Sequence, residues 1–232
     1  MNLQQEEQSG WPQKNLNPKE AVWAGREWMF KGRLNQIRDE PWRTWLVMGG
    51  RGSGKTRIGA EWVNGFVNGL APFNGPNVSP IALVGETIAD ARDVMIEGPA
   101  GIKKSIRSKK PRFYASKRQL VWDNGAVAHL FSSEDPESLR GPQFAAAWCD
   151  EIGKWKNAVD TWDMLQVGLR LGDCPRLLAT TTPRPTALMK RLLADGSVVR
   201  TIMKTSENDA NLAPGFVKTI SGQYGGTHLG RQ

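Results

Sequence analysis

The sequence has little that would support a disulfide framework, a metal cluster or a membrane anchor. Its only two cysteines, Cys149 and Cys174, are not spaced as metal ligands, which favours a reduced cytoplasmic setting and two small core residues. No apolar run approaches the roughly 20 residues that cross a bilayer. Residues 1–17 are rich in Gln, Asn and Glu and do not form a signal segment. We therefore expect no membrane partner.

Acidic residues are missing from the stretch between Gly98 and Trp122. This stretch carries eight basic residues: Lys103, Lys104, Arg107, Lys109, Lys110, Arg112, Lys117 and Arg118. Since the formal net charge of the chain is also +8, the remainder of the chain is neutral. A local basic patch is typical of a polyanion partner such as nucleic acid. A solvated face that keeps the protein in solution explains the same charges equally well.

A glycine-rich loop follows the apolar run 45–48. Residues 49–56 read Gly-Gly-Arg-Gly-Ser-Gly-Lys-Thr and match G-x-x-x-x-G-K-[ST], with a helix-like stretch after them. Backbone N–H groups of such a loop, together with the helix N-terminus, bind phosphate oxygens. The predicted triphosphate site comprises Gly49, Gly50, Arg51, Gly52, Ser53, Gly54, Lys55, which would reach the β/γ-phosphates, and Thr56, which would bind Mg²⁺. The alternative is a glycine-rich turn before an ordinary helix.

Two adjacent carboxylates, Asp150 and Glu151, end the apolar strand predicted at 144–149. The carboxyl ends of parallel strands face the ligand crevice, where the phosphate loop also lies. Asp150 would therefore hold Mg²⁺, and Glu151 would polarise a water for attack on the γ-phosphate. Tandem carboxylates are also common on protein surfaces. No Asn-Lys-x-Asp motif for guanine occurs, which favours ATP hydrolysis over a GTP switch.

Two further segments are candidates for the same site. Thr180-Thr181-Thr182-Pro183 ends another predicted strand, and its hydroxyls would sense the γ-phosphate; a polar strand end broken by proline is the alternative. Arg140 lies in a loop before the carboxylate strand and suits an arginine finger. For the residues taken alone, a surface ion pair of Arg140 with Glu134 or Asp135 is the favoured interpretation.

Strands and helices alternate along the chain. This order predicts an α/β fold with a mainly parallel central sheet flanked by helices. Strands are predicted at about 43–48, 81–85, 119–122, 126–131, 144–149 and 176–181, and helices at about 18–37, 56–68, from Thr87, 158–170 and 185–194. We expect a flexible arm at 1–17, a nucleotide-binding domain at 18–204, and a linker with a C-terminal helix at 205–232. The tryptophans at 42, 45, 122 and 148 are predicted to be core residues.

In these motifs the chain resembles the large terminase subunit of tailed double-stranded DNA phages, the motor ATPase that packages genomes into procapsids. The resemblance runs from about Trp28 to Gln232. Besides the phosphate loop it rests on residues 42–46, 85–87, 136–143, 148–151, 169–172, 180–185 and 224–227. The segments Leu-Arg-Gly-Pro-Gln and Thr-Thr-Pro, in this order, are more specific than the phosphate loop.

The resemblance implies a P-loop NTPase of the additional-strand, catalytic-glutamate type that uses ATP and Mg²⁺. It implies that Thr56 and Asp150 bind the metal, that Glu151 activates water, and that Arg51 and Arg140 are the candidate arginines for γ-phosphate charge. Thr180 to Thr182 would form the coupling motif, with Thr181 at the nucleotide, and Gln36 would contact adenine.

The family likeness also implies partners and a location. These are double-stranded DNA, a homo-oligomeric ring (a pentamer by resemblance), a portal and a small terminase subunit, with the protein in the host cytoplasm and transiently docked on the procapsid. Family members usually continue into a nuclease domain. Since the sequence shows no acidic metal cluster for that chemistry, we do not expect nuclease activity in this chain.

Two rival functions are compatible with the same residues. One is a helicase-like, DNA-dependent ATPase that separates strands. The other is a nucleotide-dependent assembly module that binds ATP without productive turnover. A strand-separation assay and steady-state phosphate release discriminate among the three.

Overall fold

The computed structural model describes residues 42–69, 78–106, 109–224 and 227. The predicted arm 1–17, the predicted helix 18–37 and Gln36 lie outside the described residues.

The described residues form eight strands and six α-helices. The strands are β1 (Thr44–Gly49), β2 (Ile81–Gly85), β3 (Arg112–Tyr114), β4 (Gln119–Val121), β5 (Val127–Ser132), β6 (Ala146–Asp150), β7 (Arg176–Thr181) and β8 (Val199–Met203). The helices are α1 (Lys55–Asn68), α2 (Ile88–Asp90, continuing as a π-helix over Ala91–Ile96), α3 (Ile102–Ser105), α4 (Ala158–Gly168), α5 (Ala187–Ala194) and α6 (Phe216–Tyr224). None of these helices is both long and apolar enough to pass through a bilayer.

All eight strands belong to one sheet, in the order β3-β4-β5-β2-β6-β7-β1-β8. The six strands from β5 to β8 in this order pair in parallel. Strand β4 is antiparallel to both of its neighbours, β3 and β5. The strand before the glycine loop, β1, is separated from the carboxylate strand, β6, by one additional strand, β7. This order confirms the predicted fold class.

The two faces of the sheet carry separate hydrophobic cores. Alternate residues of β1 point to opposite faces, so Trp45 and Val47 join one core and Leu46 and Met48 join the other. Helix α1 covers the first face, and α4 and α5 cover the second. Because both faces are buried, β1 reads as a continuous apolar run. The four tryptophans predicted to be core residues are all buried.

Local signals set several element boundaries. Asp123-Asn124-Gly125 forms the predicted hairpin turn between β4 and β5, with Gly125 at φ 84°. The side chain of Asn124 donates to the carbonyl of Val67, so this turn also caps the end of α1. At the start of α2, Thr87 and Asp90 bond each other's backbone N–H in a capping box. The boundaries of the predicted strands agree with the structure to within about two residues.

The structure differs from the sequence-based expectations at four places. Strands β3 and β8, both at edges of the sheet, have weak apolar patterns and were not predicted. Residues Thr205–Asn211, expected to be part of a linker, form a 3₁₀ helix, which we call the 205–211 helix. Cys149 is buried, as expected for a core residue, but Cys174 is exposed because it lies in the loop before β7.

A tight contact between α1 and β6 gives a test of this packing. A Cβ placed on Gly59 of α1 would lie 2.0 Å from Cε2 of Trp148, a fully buried residue of β6. We expect Gly59→Ala to lower the free energy of unfolding by about 1–3 kcal/mol, because the rigid indole must move. Urea denaturation measures this change.

Gly222→Ala is the matched control, because a Cβ at Gly222 in α6 meets no atom within 4 Å. There the better helix propensity of alanine should leave the protein as stable or slightly more stable. Equal effects of the two substitutions would contradict the packing described for Gly59.

Candidate nucleotide-binding site

The glycine loop connects β1 to α1 in a conformation that requires glycine. Gly52 and Gly54 have φ values of 75° and 92°, which L-residues rarely adopt. A Cβ on Gly49 would lie 2.6 Å from the carbonyl oxygen of Met203, so β8 also forbids a side chain there. The loop thus leads directly into the N-terminus of α1, where unpaired N–H groups favour an anion.

Lys55 joins this loop to the predicted catalytic carboxylates. Its Nζ donates to the carbonyl oxygens of Gly49 and Gly50, both at 3.0 Å, and lies 3.6 Å from Oε1 of Glu151. The side chain is 7% exposed, and this burial lowers the pKa of Lys55, against the opposing fields of Glu151 and Asp150. The fold therefore brings together the lysine and the carboxylates that the sequence assigned to one site.

Asp150 is a buried carboxylate at the end of β6. It accepts a hydrogen bond of 2.5 Å from Oγ1 of Thr180 on the neighbouring strand β7. Burial raises the pKa of Asp150 to about 6, although the Thr180 hydrogen bond and the charge of Lys55 act in the opposite direction. A nearby cation would stabilise the ionised form of this buried carboxylate.

Glu151 adopts a backbone conformation that is uncommon for a residue other than glycine. Its φ is 52° and its ψ is 45°. The carboxylate is held by Thr182, whose backbone N–H donates to Oε2 at 3.1 Å and whose hydroxyl donates to Oε1 at 3.2 Å. Non-glycine residues in this region cluster at functional sites, where surrounding contacts maintain the strain.

The three threonines at the end of β7 each contact the carboxylate segment in a different way. Thr180 bonds Asp150, Thr182 bonds Glu151, and Thr181 accepts from the N–H of Gly153 at 3.0 Å. Thr181 also donates to the carbonyl of Thr182 at 3.0 Å. The hydroxyl of Thr181, predicted to contact nucleotide, is thus engaged with the protein. Thr180 and Thr182 hold the carboxylates of Asp150 and Glu151, a role that adjacent strand ends suggest only once their register is known.

A cavity of about 160 Å³ lies at this edge of the sheet. Its polar lining residues are Thr56, Glu86, Asp90, Asp150, Glu151 and Lys154. The hydroxyl of Thr56 and the carboxylate of Asp150 are oxygen ligands of the kind Mg²⁺ prefers, and Mg²⁺ normally takes few protein ligands beside phosphates and water. Among the described residues, no group of three acidic, His or Cys side chains could hold a metal by itself. Lys154, Glu86 and Asp90 were not predicted; they follow the ends of β6 and β2.

The two candidate arginines both lie on the surface. Arg140 follows a 3₁₀ helix, Pro136–Leu139, and is exposed. Its Nε lies 3.0 Å from Oε2 of Glu137, which replaces Glu134 or Asp135 as the partner expected for a surface ion pair. Arg51 lies within the glycine loop and is also exposed. Neither arginine forms an ion pair with Asp150 or Glu151.

A larger cavity of about 730 Å³ borders the other side of the glycine loop. It lies between Gly49, Gly50 and Arg51 of the loop, the end of β8, the 205–211 helix and α6. Its apolar lining residues are Met48, Ile202, Met203, Phe216, Val217 and Ile220. Gln36, predicted to contact adenine, is outside the described residues.

The strand order and the site define the class of this protein. A phosphate-binding loop after β1, an additional strand β7 and a glutamate after β6 together make a P-loop NTPase of the additional-strand, catalytic-glutamate type. A sequence profile described as "Terminase large subunit, T4likevirus-type, N-terminal" matches residues 46–232, most of the chain. The chain therefore belongs to this family of large terminase subunits.

Solved structures of phage terminases share the fold. The large terminase of the thermophilic bacteriophage D6E, in complex with ADP, superposes with a TM-score of 0.66 at 14% identity, over 91% of this chain and 51% of that one. The chain thus spans about half the length of that terminase. The ATPase domain of the Thermus phage P74-26 large terminase gives a TM-score of 0.55 at 12% identity, over 83% and 87% of the two chains. No curated protein sequence matches the chain significantly.

The buried Asp150 gives a pH-dependent prediction. Its pKa is about 6 in the folded protein and about 3.9 in an unfolded chain, so the folded state binds the proton more tightly. Stability contributed by this group is therefore lost as the pH rises from about 4 to about 6. We expect Asp150→Asn to flatten this decline and, without metal or nucleotide, to stabilise the protein at pH 7 by about 3 kcal/mol. Denaturant unfolding at several pH values measures the difference.

The control is Asp173→Asn, because Asp173 is exposed. That variant should follow the unmodified protein at every pH. An Asp150→Asn protein that is less stable than the unmodified chain at pH 7 would contradict the burial cost assigned to the carboxylate.

Proposed function

We propose that this chain is the ATP-hydrolysing motor domain of a phage terminase large subunit and couples hydrolysis to translocation of double-stranded viral DNA into a procapsid. The observation that carries the proposal is the convergence of Lys55, which follows the loop after β1, with Asp150 and Glu151 at the end of β6; β7 separates these two strands. A phosphate loop alone also serves kinases and switches. A glutamate held within 3.6 Å of the loop lysine favours hydrolysis.

Each side chain then has a role in hydrolysis. The backbone N–H groups of the glycine loop and Lys55 would bind the β- and γ-phosphates, and Thr56 with Asp150 would hold Mg²⁺. The bound metal would neutralise charge that develops on the phosphate oxygens. Glu151, fixed by Thr182, accepts a proton from the attacking water. Arg51 or Arg140 supplies a further positive charge, in the same subunit or from a neighbour in a ring.

The threonines at the end of β7 connect the site to the segment of chain that follows them. Because Thr182 bonds Glu151 through both its N–H and its hydroxyl, a shift of Glu151 on loss of the γ-phosphate also moves the chain after Thr182. That chain continues into α5. We propose this as the coupling step, in keeping with the family's coupling motif.

The remaining partners follow from the family. We propose a homo-oligomeric ring, a pentamer by family resemblance, that acts in the host cytoplasm with a portal and a small terminase subunit. The partner that the family implies most directly is DNA. The basic stretch offers a sequence-independent grip, since Arg112, Lys117 and Arg118 are exposed along the β3 edge of the sheet. Lys103 and Lys109 are partly neutralised by Glu97 and Asp123.

Hydrolysis is tested at Lys55 and Glu151. We expect Lys55→Ala to weaken nucleotide binding and Glu151→Gln to retain binding but lower steady-state phosphate release at least 100-fold, the scale of a lost general base. Lys190→Ala and Asp173→Asn are controls for the charge changes, because both residues are exposed and outside the site. A chain that binds ATP but releases no phosphate above the Glu151→Gln level, even with DNA present, would instead be an assembly module.

The DNA grip is tested by charge reversal. Lys109, Lys110 and Arg112 changed together to Glu should weaken duplex binding and reduce the slope of log affinity against log salt by about 0.9 for each lost phosphate contact. Reversal of the exposed residues Arg170, Lys190 and Lys218 changes the net charge equally and serves as the control.

Unchanged affinity and salt slope would leave the basic stretch as a solvated face. Strand separation by the unmodified protein in the same buffers would favour the helicase-like alternative over a packaging motor, which moves along duplex without opening it.

A further inference from the structure

The 205–211 helix contacts the glycine loop from the side of β8. Oγ1 of Thr205 donates to the carbonyl oxygen of Arg51 at 2.8 Å, and Nδ2 of Asn208 donates to the carbonyl oxygen of Gly52 at 2.7 Å. These hydrogen bonds join positions 154 and 156 residues apart in sequence. Two polar side chains that do not belong to the motifs after β1, β6 and β7 thus bond consecutive peptide groups of the loop.

The direction of these bonds matters for anion binding. The N–H and C=O of a peptide group point in opposite directions, so a loop that turns N–H groups toward a phosphate turns carbonyls away from it. The carbonyls of Gly49 and Gly50 accept from Lys55, inside the loop. Those of Arg51 and Gly52 accept from the 205–211 helix. Thr205 and Asn208 therefore fix the orientation of the two peptide groups that follow those bonded by Lys55.

Packing and a further hydrogen bond hold this contact in register. Leu212, just after the helix, approaches Gly52 so closely that a Cβ there would lie 3.2 Å from its Cδ2. Nδ2 of Asn211 donates to Oδ1 of Asn208 at 3.0 Å, which leaves the Asn208 amide N–H₂ directed to the loop. Glu207 accepts from the N–H of Lys204 at the start of the helix. The helix is thus organised to present Asn208 to Gly52.

We propose that Thr205 and Asn208 are positioning residues that hold the glycine loop in its phosphate-binding conformation. The inference rests on the proposed function, because it concerns binding of the same nucleotide. Coupling of this kind is reciprocal: if the docked helix strengthens nucleotide binding, then bound nucleotide stabilises docking of residues 205–212 by the same factor. The segment after β8 then reports on occupancy of the site.

The test measures binding of Mg²⁺–ADP and of inorganic triphosphate by titration calorimetry. Thr205→Val and Asn208→Ala each remove one donor, and because both bonds are partly open to solvent we expect each to weaken binding about 3- to 10-fold. The loss should be similar for ADP and for triphosphate, since the effect acts through the loop and not through the nucleoside. Thr205→Ser, which keeps the hydroxyl, should bind like the unmodified chain. So should Asp209→Asn, a change at a neighbouring exposed position.

Hydrogen exchange gives a second readout. Amides of residues 205–212 should exchange more slowly with nucleotide bound in the unmodified chain, and this protection should shrink in Asn208→Ala. Affinities within twofold of the unmodified chain for both variants, or a loss seen with ADP but not with triphosphate, would overturn the inference. If Lys55→Ala binds nucleotide as well as the unmodified chain does, the proposed function fails instead, whatever the Thr205 and Asn208 variants show.

Discussion

The site depends on the contacts that the ammonium group of Lys55 makes. This group is the point where the loop after β1 meets the acidic end of β6, bonded to two loop carbonyls and 3.6 Å from Glu151. The two segments are far apart in sequence, and they meet only because β1, β7 and β6 run parallel and end at the same edge of the sheet. The apolar residues of these strands therefore matter for the site, because burying them fixes where the polar strand ends lie.

Burial of opposite charges at this edge has a cost that the ligand can offset. Burial raises the pKa of Asp150 and lowers that of Lys55, so each group is less favourable in its charged form than it would be in water. The hydrogen bonds from Thr180 and Thr182 keep both carboxylates in place all the same. A site of this kind is preorganised for charge that arrives with the substrate, which is how polar active sites stabilise a transition state without reorganisation.

The core of the fold and the convergence of Lys55 with Asp150 and Glu151 were predictable from sequence, for physical reasons. Short apolar runs bounded by Gly, Pro and Asn mark buried parallel strands, and a glycine loop or a carboxylate pair at their ends marks the functional edge. Edge strands are different, because one side is unpaired and solvent permits polar residues, so β3 and β8 have no comparable pattern. The contacts of Thr205 and Asn208 depend on the position of the chain after the end of β8. A polar segment such as Thr-Ser-Glu-Asn-Asp is indistinguishable from a linker until that position is known.

The two neighbours of β1 have corresponding functions in this arrangement. Strand β7, on one side, ends in threonines that bond Asp150 and Glu151. Strand β8, on the other side, is followed by side chains that bond the carbonyls of Arg51 and Gly52. In the proposed mechanism, one of these segments contacts the carboxylates that would lie near the γ-phosphate, and the other contacts the loop that would surround the phosphates. We propose that loss of the γ-phosphate changes the surroundings of Glu151 first, whereas release of the whole nucleotide changes the loop. The chain after β7 would then respond to hydrolysis and the chain after β8 to nucleotide release, which would give a motor two separable signals from one bound nucleotide.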